Sequence, residues 1–459
     1  MRNGKAGGPY MPLRLVMPRW LDWLWLGLLA IYIVAGAAIA PFHGDESTLI
    51  WMGRDYFHIN AESGFSRVLY DGSPLSSDIE QLHRLINGTV SKTIYGWAAS
   101  TLDFEIGDLN NLWNWSRDFR ANVADNHFPN AALLLRSRQL SALQLALAGA
   151  TFFAFARVAL NRPTAYLASL IFALHPTILI NGRRAMMEGS HLLGLTLVLL
   201  AAAWLMQDRK PWKYLALGIC AGFALAAKHH NVVAVTAIYL ALALPPMRHW
   251  LRSRKWRRQS RELLLLIASG FAAIGIFLLL NPGWWSAPLQ LAFAVVEERE
   301  ALMTNHVIAA GGYDSFGAQI IGFFRYVFVG ARQYFELAHW AGYAEISEQI
   351  RAYEASGLAG VLLIGNSTKL GILCLVASAI GAGLLARNRG VSPDMRLLIL
   401  LWAGISALAT LQLTPLPWAR YYLPLLPVVI LLAAYGATSL AEYLLNIRVA
   451  KADGHAVLD

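Results

Sequence analysis

Charged residues are scarce in this sequence of 459 residues: 14% are Asp, Glu, Lys or Arg, whereas 57% are hydrophobic. A soluble globular domain carries about 25% charged residues, so this composition excludes an ordinary soluble domain. Cysteine is scarcer still, and the two that occur, Cys220 and Cys374, both lie inside apolar runs. We therefore expect both thiols to pack among apolar neighbours rather than to form a disulfide or a metal site.

Apolar runs of about twenty residues, long enough to cross about 30 Å of hydrocarbon, recur along the whole chain. Ten of them are the best candidates for membrane spans: 21–41, 138–157, 164–181, 189–206, 213–228, 231–247, 263–281, 368–386, 396–414 and 421–441. The sequence therefore predicts an all-α integral membrane protein, a bundle of ten transmembrane helices. An eleventh span at 317–330 is the alternative, and Arg325 and the short length of that run argue against it.

The basic residues are concentrated in three stretches, and ten spans place all three on the same face of the membrane. Residues 248–261 hold seven Lys or Arg and no acid. The other two stretches contribute Arg2, Lys5, Arg14 and Arg19, and Arg387, Arg389 and Arg396. The positive-inside rule assigns this face to the cytoplasm. The net charge of +10 is thus explained by topology, and it does not indicate nucleic-acid binding.

The acidic residues are distributed the opposite way. Two segments fall on the predicted outer face, the first long loop (42–137) with twelve Asp or Glu and the second long loop (282–366) with eight, of 28 in the chain. Loops of this length between spans are usually functional. Within them, 47–59 and 317–330 are short amphipathic stretches that predict helices lying at the membrane interface.

The first apolar run resembles a secretory signal peptide, because "AGAAIA" (35–40) offers small residues at a cleavage position. Pro41 directly after these residues and the length of the run favour an uncleaved anchor instead. We expect residues 1–459 to form a single transmembrane domain, with no soluble domain appended after the last span.

Polar residues collect where the predicted spans meet the outer face. Four connections supply candidates: His43, Asp45 and Glu46; Arg183, Arg184 and Glu188; Lys228, His229 and His230; and Arg420, Tyr421 and Tyr422. Cations and carboxylates at one depth suit an anionic lipid-phosphate head beside a general base. Each candidate also has a structural alternative, since arginines snorkel to lipid head groups and Asp45 is a plausible N-cap for a helix at 47–59.

The order of these motifs resembles the GT-C superfamily of polytopic glycosyltransferases, and most closely the protein O-mannosyltransferases and the lipid A aminoarabinose transferases. The matching stretches are "HGDE" (43–46), "LRSRQLSAL" (135–143), "HPTILINGRRAMMEG" (175–189), "AAK" (226–228) and "ARYYLPLLP" (419–427). The resemblance implies a GT-C-type bundle that takes sugars from polyprenyl-phosphate carriers.

The resemblance also implies roles for individual residues. The Asp of the Asp-Glu pair activates the acceptor, which corresponds to Asp45, and cations at span ends hold the donor phosphate. The corresponding cations here are Lys228, Arg420 and Arg183 or Arg184. Relatives often carry a basic residue shortly after the Asp-Glu pair, whereas here Ser47 and Thr48 follow. That departure leaves phosphate contacts from the first long loop in doubt.

The resulting hypothesis is an inverting glycosyltransferase of the bacterial plasma membrane, active at its outer face. Asp45 removes the proton of an acceptor hydroxyl, and Glu46 orients Asp45, contacts the acceptor or raises the pKa of Asp45 by like-charge repulsion. The partners are a polyprenyl-phosphate sugar, an acceptor glycan, lipid or protein, and membrane lipids. No cofactor is expected, and a divalent metal is not expected either, since the first long loop has no Asp-x-Asp pair.

Two other functions remain as alternatives. A transporter or flippase of an anionic lipid-linked saccharide would place ionisable groups near the bilayer midplane and often shows two related halves, neither of which the sequence indicates. A polymerase or ligase of surface polysaccharide shares the chemistry and differs mainly in the acceptor.

Overall fold

The computed structural model describes residues 18–62, 64–252, 256–330, 332–359 and 367–455. Within these ranges the regular structure is helical and no strand occurs. The helices are α1 (Trp20–Ala35), α2 (Gly44–Trp51), α3 (Arg54–Asn60), α4 (Ile79–Ile86), α5 (Thr89–Ser100), α6 (Phe119–Ala124), α7 (Ala131–Ala159), α8 (Arg162–Leu174), α9 (Pro176–Arg183), α10 (Glu188–Asp208), α11 (Pro211–Ala227), α12 (Val232–Arg252), α13 (Trp256–Leu280), α14 (Pro288–Ala310), α15 (Phe316–Phe324), α16 (Ala338–Ala341), α17 (Ala344–Ala355), α18 (Thr368–Arg387), α19 (Pro393–Leu413) and α20 (Leu426–His455). The predicted cytoplasmic residues Arg2, Lys5 and Arg14, and 253–255 of the basic stretch, lie outside the described residues.

Seven helices in the described ranges are long and apolar enough to cross a membrane: α7, α10, α12, α13, α18, α19 and α20. The pair α8 and α9 adds an eighth candidate if it is one bent span, and three shorter apolar helices are α1, α11 and Phe316–Val329. These candidates coincide with the ten predicted segments and with the alternative at 317–330, which confirms an all-α integral membrane protein. The number of membrane crossings itself stays a prediction.

The predicted span at 164–181 is bent. α8 ends at Leu174, α9 begins at Pro176, and the two axes meet at 60°. Proline has no N–H to donate to the preceding turn and restricts the residue before it, so the helix is interrupted at His175. After the bend, the last residue of α9, Arg183, reaches the end of α1.

α10 lies at the centre of the bundle, while α13 lies at its edge. The most apolar window of α10 is 78% buried, against 17% for that of α13. Gly194 permits the close packing of α10, because a Cβ there would lie 2.7 Å from the Cα atom of Ala224 in α11. The exposed apolar side chains of α13 suit contact with lipid. Cys220 and Cys374 are free thiols packed against the core, as expected.

Both long loops fold over the same end of the bundle, which we call the loop end. The predicted helix at 47–59 is in fact two helices, α2 and α3, which are separated at Met52 and Gly53. A Cβ at Gly53 would lie 2.9 Å from the backbone nitrogen of Gly96, so a glycine is needed where α5 crosses this turn. Across the two loops, the Phe42 N–H donates to Gln349 of α17 at 2.8 Å.

The second long loop contains a helix of 23 residues, α14, that the sequence analysis missed. The apolar segment Phe316–Val329 follows it and lies along the loop end. Gln319 in this segment donates to the Thr414 carbonyl, just after α19, at 3.0 Å, and Val329 packs against Gly371 near the start of α18. Both parts of the segment contact the same end of the bundle, and whether it lies at the interface or is an eleventh span stays a prediction.

Candidate functional site

The candidate site begins at the start of α2. His43 is the N-cap of this helix: its Nδ1 accepts a hydrogen bond from the Asp45 N–H at 3.1 Å, and the Glu46 carboxylate accepts one from the His43 N–H at 3.0 Å. The alternative interpretation of Asp45 as the N-cap is therefore wrong. Asp45 is the second residue of α2, and its carboxylate pairs with Arg420 instead of capping the helix.

Four side chains from three distant parts of the chain meet at one place: His43, Asp45, Glu336 and Arg420. The Asp45 carboxylate forms an ion pair with Arg420 Nη1. Arg420 Nε lies 2.8 Å from Glu336 Oε1, and His43 Nε2 lies 2.7 Å from Glu336 Oε2. Because His43 Nδ1 accepts from a backbone N–H, its Nε2 carries the proton and donates to Glu336. We call these four residues the polar ring.

Electrostatic interactions keep the two carboxylates and the guanidinium of the polar ring ionised. Burial, the largest single effect, would raise the pKa of the Asp45 carboxyl, but Arg420 and His43 together outweigh burial and hold that pKa below its ordinary value. The pKa of Glu336 is lowered in the same way, with burial opposed by Arg420 and His43. Burial acts against the charge of Arg420, yet the two carboxylates hold its pKa well above the ordinary value. Asp45 is therefore a weak base as long as Arg420 is bound to it.

Glu46 is adjacent to Asp45 and has a different environment. Its side chain is fully buried and accepts two hydrogen bonds from Arg138 of α7, both at 2.7 Å. The Ala185 N–H donates to the same carboxylate at 2.8 Å, in addition to the His43 N–H. These bonds fasten the start of α2 to α7 and to the connection after α9, and they occupy the carboxylate fully. The sequence analysis did not single out Arg138.

Arg183 and Arg184, two predicted phosphate ligands, are buried among protein partners. Arg183 donates to two backbone carbonyls at the end of α1, at 2.6 and 2.8 Å, and to the Tyr353 hydroxyl at 2.7 Å. Arg184 donates to the carbonyls of Pro41 and Tyr334 at 2.9 and 2.8 Å. These bonds join α1 to the second long loop and leave neither guanidinium facing an open site.

Lys228, Glu188 and Tyr421 lie beside the polar ring. Lys228 Nζ donates to Glu188 Oε1 at 2.9 Å, and the charge of Glu188 acts on Arg420. The Arg420 guanidinium lies 5.8 Å from the centre of the Tyr421 ring. His229, in contrast, packs edge-on against two aromatic rings, those of Phe277 and Trp284, at 5.7 and 5.6 Å. The structure thus brings three of these four predicted residues to the site and gives His229 an aromatic environment.

Several residues near the site have no counterpart among the sequence candidates. Arg299 of α14 donates to Asn87 at 3.2 Å and interacts electrostatically with Arg420. His306, also on α14, packs on Trp418 with ring centres 5.0 Å apart. His83 of α4 is near enough to Asp45 for that carboxylate to raise its pKa, although burial dominates and lowers the pKa to about 4. The only signal for these residues was the acidic and aromatic character of the long loops.

A second buried charge cluster stabilises the first long loop. Asp55 accepts hydrogen bonds from Arg84 Nε at 2.9 Å and pairs with Lys92 Nζ at 3.0 Å. Lys92 is 1% exposed and also donates to the Arg84 carbonyl at 3.0 Å. Because both oxygens of Asp55 are engaged, this cluster ties α3, α4 and α5 together.

No group of three His, Cys, Asp or Glu within the described ranges is placed to hold a metal ion. The expectation of a site without a metal or other cofactor stays a prediction.

One protein family matches part of this chain. Residues 134–273 match the family described as dolichyl-phosphate-mannose-protein mannosyltransferase. The matched segment contains Arg138 and Lys228, whereas Asp45, Glu336 and Arg420 lie outside it. The match confirms the resemblance to the protein O-mannosyltransferases predicted from the motifs. No match was found among curated protein sequences.

Among solved structures, the similar ones are distant. The S. cerevisiae protein O-mannosyltransferase Pmt1-Pmt2 complex bound to the sugar donor is 14% identical, with a TM-score of 0.35, over 68% of this chain and 37% of that chain. The oligosaccharyltransferase of Archaeoglobus fulgidus is 11% identical, with a TM-score of 0.49, over 94% and 52%. ArnT from Cupriavidus metallidurans bound to undecaprenyl phosphate is 14% identical, with a TM-score of 0.36, over 91% and 77%. This chain thus spans 37% and 52% of the length of the first two.

Proposed function

We propose that this protein is a glycosyltransferase that moves a sugar from a polyprenyl-phosphate carrier to an acceptor hydroxyl at the outer face of the membrane, with inversion at the anomeric carbon. The observation that carries the proposal is the Asp45–Arg420 pair, a partly exposed carboxylate beside a cation at the loop end of a membrane bundle. The family match at 134–273 supports a sugar donor linked to a lipid phosphate.

Arg420 is the cation that a donor phosphate would engage. A phosphate binds a guanidinium more strongly than it binds most other side chains. The N–H donors of the guanidinium match the geometry of the phosphate oxygens and form charge-assisted hydrogen bonds to them. Once Arg420 turns to the phosphate, the Asp45 carboxylate loses the charge that weakens it as a base. Donor binding therefore prepares Asp45 to act.

The transfer step then balances as follows. The acceptor oxygen attacks the anomeric carbon from the face opposite the phosphate, and its proton passes to an Asp45 oxygen. The bond between the anomeric carbon and the phosphate oxygen breaks, so polyprenyl phosphate leaves with the electron pair. Arg420 stabilises the growing phosphate charge, together with Lys228 and Arg299 near the polar ring. Proton removal by a positioned base contributes about two to four decades in rate.

Release of polyprenyl phosphate tests this reaction. Purified protein in lipid nanodiscs is incubated with a panel of polyprenyl-phosphate sugars, and freed polyprenyl phosphate is measured. We expect the wild type to release polyprenyl phosphate from at least one donor. Asp45→Asn should lose this release, whereas the control Glu62→Gln, which alters an exposed carboxylate of the same loop, should keep it. Movement of intact lipid-linked sugar across a liposome membrane, without any release, would establish a transporter and overturn the proposal.

Cysteine labelling tests the outer placement. In a variant with Cys220→Ala and Cys374→Ala, single cysteines replace Ser73, Ser260 or Ser356. An impermeant reagent added to intact bacterial cells should label positions 73 and 356, in the two long loops, and spare position 260. Labelling of position 260 without position 73 would reverse the predicted topology.

A further inference from the structure

Glu336 differs from the other glutamates of the second long loop in what it contacts. Its two oxygens lie 2.8 Å from Arg420 Nε and 2.7 Å from His43 Nε2, and its side chain is 13% exposed. Glu345 and Glu354 also pair with arginines, at 2.9 and 3.5 Å, but their side chains are 37% and 42% exposed. Of these three glutamates, Glu336 is the one that is enclosed within the polar ring.

Arg420 is held by two carboxylates at different edges of its guanidinium. Nη1 donates a hydrogen bond to Asp45, whereas Glu336 Oε1 forms an ion pair with Nε at 2.8 Å that lacks hydrogen-bond geometry. A guanidinium presents donors in several directions, so an incoming anion can replace one carboxylate while the other stays. Asp45 is the one that has to be released, because a carboxylate bound to a cation is a poor base.

Glu336 is itself held in place from its other side. His43 Nε2 donates to it, and the His43 ring is fixed by its bond from the Asp45 N–H and by stacking on Phe335 at 4.9 Å. The anchor of Glu336 is therefore the N-cap of the helix that carries Asp45. Any movement of Arg420 away from Asp45 leaves this anchor intact.

We propose that Glu336 is a positioning residue, which retains Arg420 in the site when the donor phosphate displaces Asp45 from the guanidinium. The inference rests on the proposed function and extends it to the second long loop. Without Glu336, Arg420 has Asp45 as its remaining carboxylate in the polar ring, and the pair tightens. With Glu336, the cation is shared, and Asp45 is released to accept the acceptor's proton.

The charge of Glu336 also acts directly on Asp45. A nearby negative charge favours the protonated form of a carboxyl, so Glu336 makes Asp45 a stronger base than Arg420 alone would allow. Glu336→Gln removes this charge with little change in size. The acidic limb of the kcat profile, which reports the base in the donor complex, should then move to lower pH, and the plateau of turnover should fall about tenfold.

The experiment compares four proteins in nanodiscs across pH, with polyprenyl phosphate released from a consumed sugar donor as the readout. They are the wild type, Glu336→Gln, Glu336→Asp and the control Glu345→Gln, which removes an exposed ion pair of the same loop. We expect the shifted limb and reduced plateau in Glu336→Gln only. Glu336→Asp keeps the charge and should restore the limb, with a raised donor KM because the shorter side chain holds Arg420 less closely.

The outcomes separate this inference from the proposed function. If the acidic limb of Glu336→Gln is identical to those of the wild type and Glu345→Gln, the positioning role is overturned. The proposed function still stands in that case, because the wild type releases polyprenyl phosphate. Loss of turnover with an unchanged limb would show a structural role only and would also overturn it. If Glu336→Gln does not fold, a donor KM of Glu336→Asp equal to that of the wild type has the same force. A wild type that releases nothing from any donor would overturn both proposals, before any variant is compared.

Discussion

Asp45 and Glu46 are adjacent in the chain, yet they belong to two regions of different character. Glu46 is 0% exposed, and four hydrogen bonds from Arg138, Ala185 and His43 fix it. The Asp45 side chain is 24% exposed, and it pairs with a guanidinium that a ligand can draw away. The region behind Glu46 is closed and sets the position of α2, while the region in front of Asp45 is open and available for chemistry.

The cations divide in the same way. Arg183 and Arg184 are 0% and 1% exposed and bind backbone carbonyls, so their role is to join segments. The side chains of Lys228 and Arg420 are 21% and 16% exposed, and both pair with carboxylates that a phosphate can replace. The same motifs therefore contain fully buried and partly exposed charged groups side by side, and the partly exposed ones are those to which the proposed reaction assigns a role.

The largest expected effect comes from a substitution that alters the open region alone. Asp45→Asn keeps the size of the side chain and removes its basicity, and capping of α2 is preserved because His43 performs it. We expect the folded protein to bind donor lipid while the release of polyprenyl phosphate falls by about two to four decades. Turnover near that of the wild type would contradict the role of Asp45 as the base.

The next largest effect is expected from a substitution in the closed region. Arg138→Met leaves the buried Glu46 carboxylate without its cation, and breaking such a pair costs about 3–5 kcal/mol of stability. We expect a clear fall in the thermal unfolding temperature in detergent. Arg136→Met, two residues earlier on the exposed side of α7, is the matched control and should change little. Equal stability of the two variants would mean that Glu46 finds another way to balance its charge.

A third change compares one arginine from each region. Arg420→Gln removes a charge-assisted phosphate contact of about 1.5–3 kcal/mol, so undecaprenyl phosphate should bind roughly ten- to a hundredfold more weakly. Arg183→Gln should lower stability and leave the affinity of the folded fraction unchanged. Binding is measured by native mass spectrometry of folded protein. Equal weakening in both variants would show that Arg183 also reaches the ligand.

The sequence predicted what depends on local pattern. Apolar runs located the ten candidate spans, because the length of hydrocarbon to be crossed is a local property of the chain. The order of short motifs indicated Asp45, Lys228 and Arg420. Burial was not predictable, however, and so the sequence could not tell that Glu46 and Arg183 are enclosed while Asp45 and Arg420 remain accessible.

The contribution of the second long loop was also beyond the sequence. Glu336 contacts His43 across 293 positions of the chain, and no local feature separates it from the other seven acids of that loop. α14 escaped notice because Glu297, Glu298 and Glu300 interrupt its apolar pattern. These glutamates nevertheless belong to a single helix, α14. A stripe of its apolar residues is exposed, and its Arg299 faces the site.

The smallest expected effect sharpens the comparison through pH. The folded-state pKa of Asp45 lies below its ordinary value of 3.8, because Arg420 and His43 together outweigh the opposing effect of burial. The unfolded chain therefore binds a proton more readily than the folded protein does. The stability that the Asp45–Arg420 pair contributes is fully present above the ordinary pKa, and it is lost as pH falls through the lower folded-state value.

Asp45→Asn cannot titrate, so its stability lacks this dependence. The difference in unfolding temperature between the wild type and Asp45→Asn, measured in detergent from about pH 6 down to about pH 3, should therefore shrink as the pH falls below about 4. Glu62→Gln, at an exposed carboxylate, should match the wild type throughout this range. A difference that stays constant or widens in acid would show that Arg420 does not hold Asp45 ionised. In that case the open region would have to be described with a neutral Asp45, which would be a hydrogen-bond donor to the acceptor rather than its base.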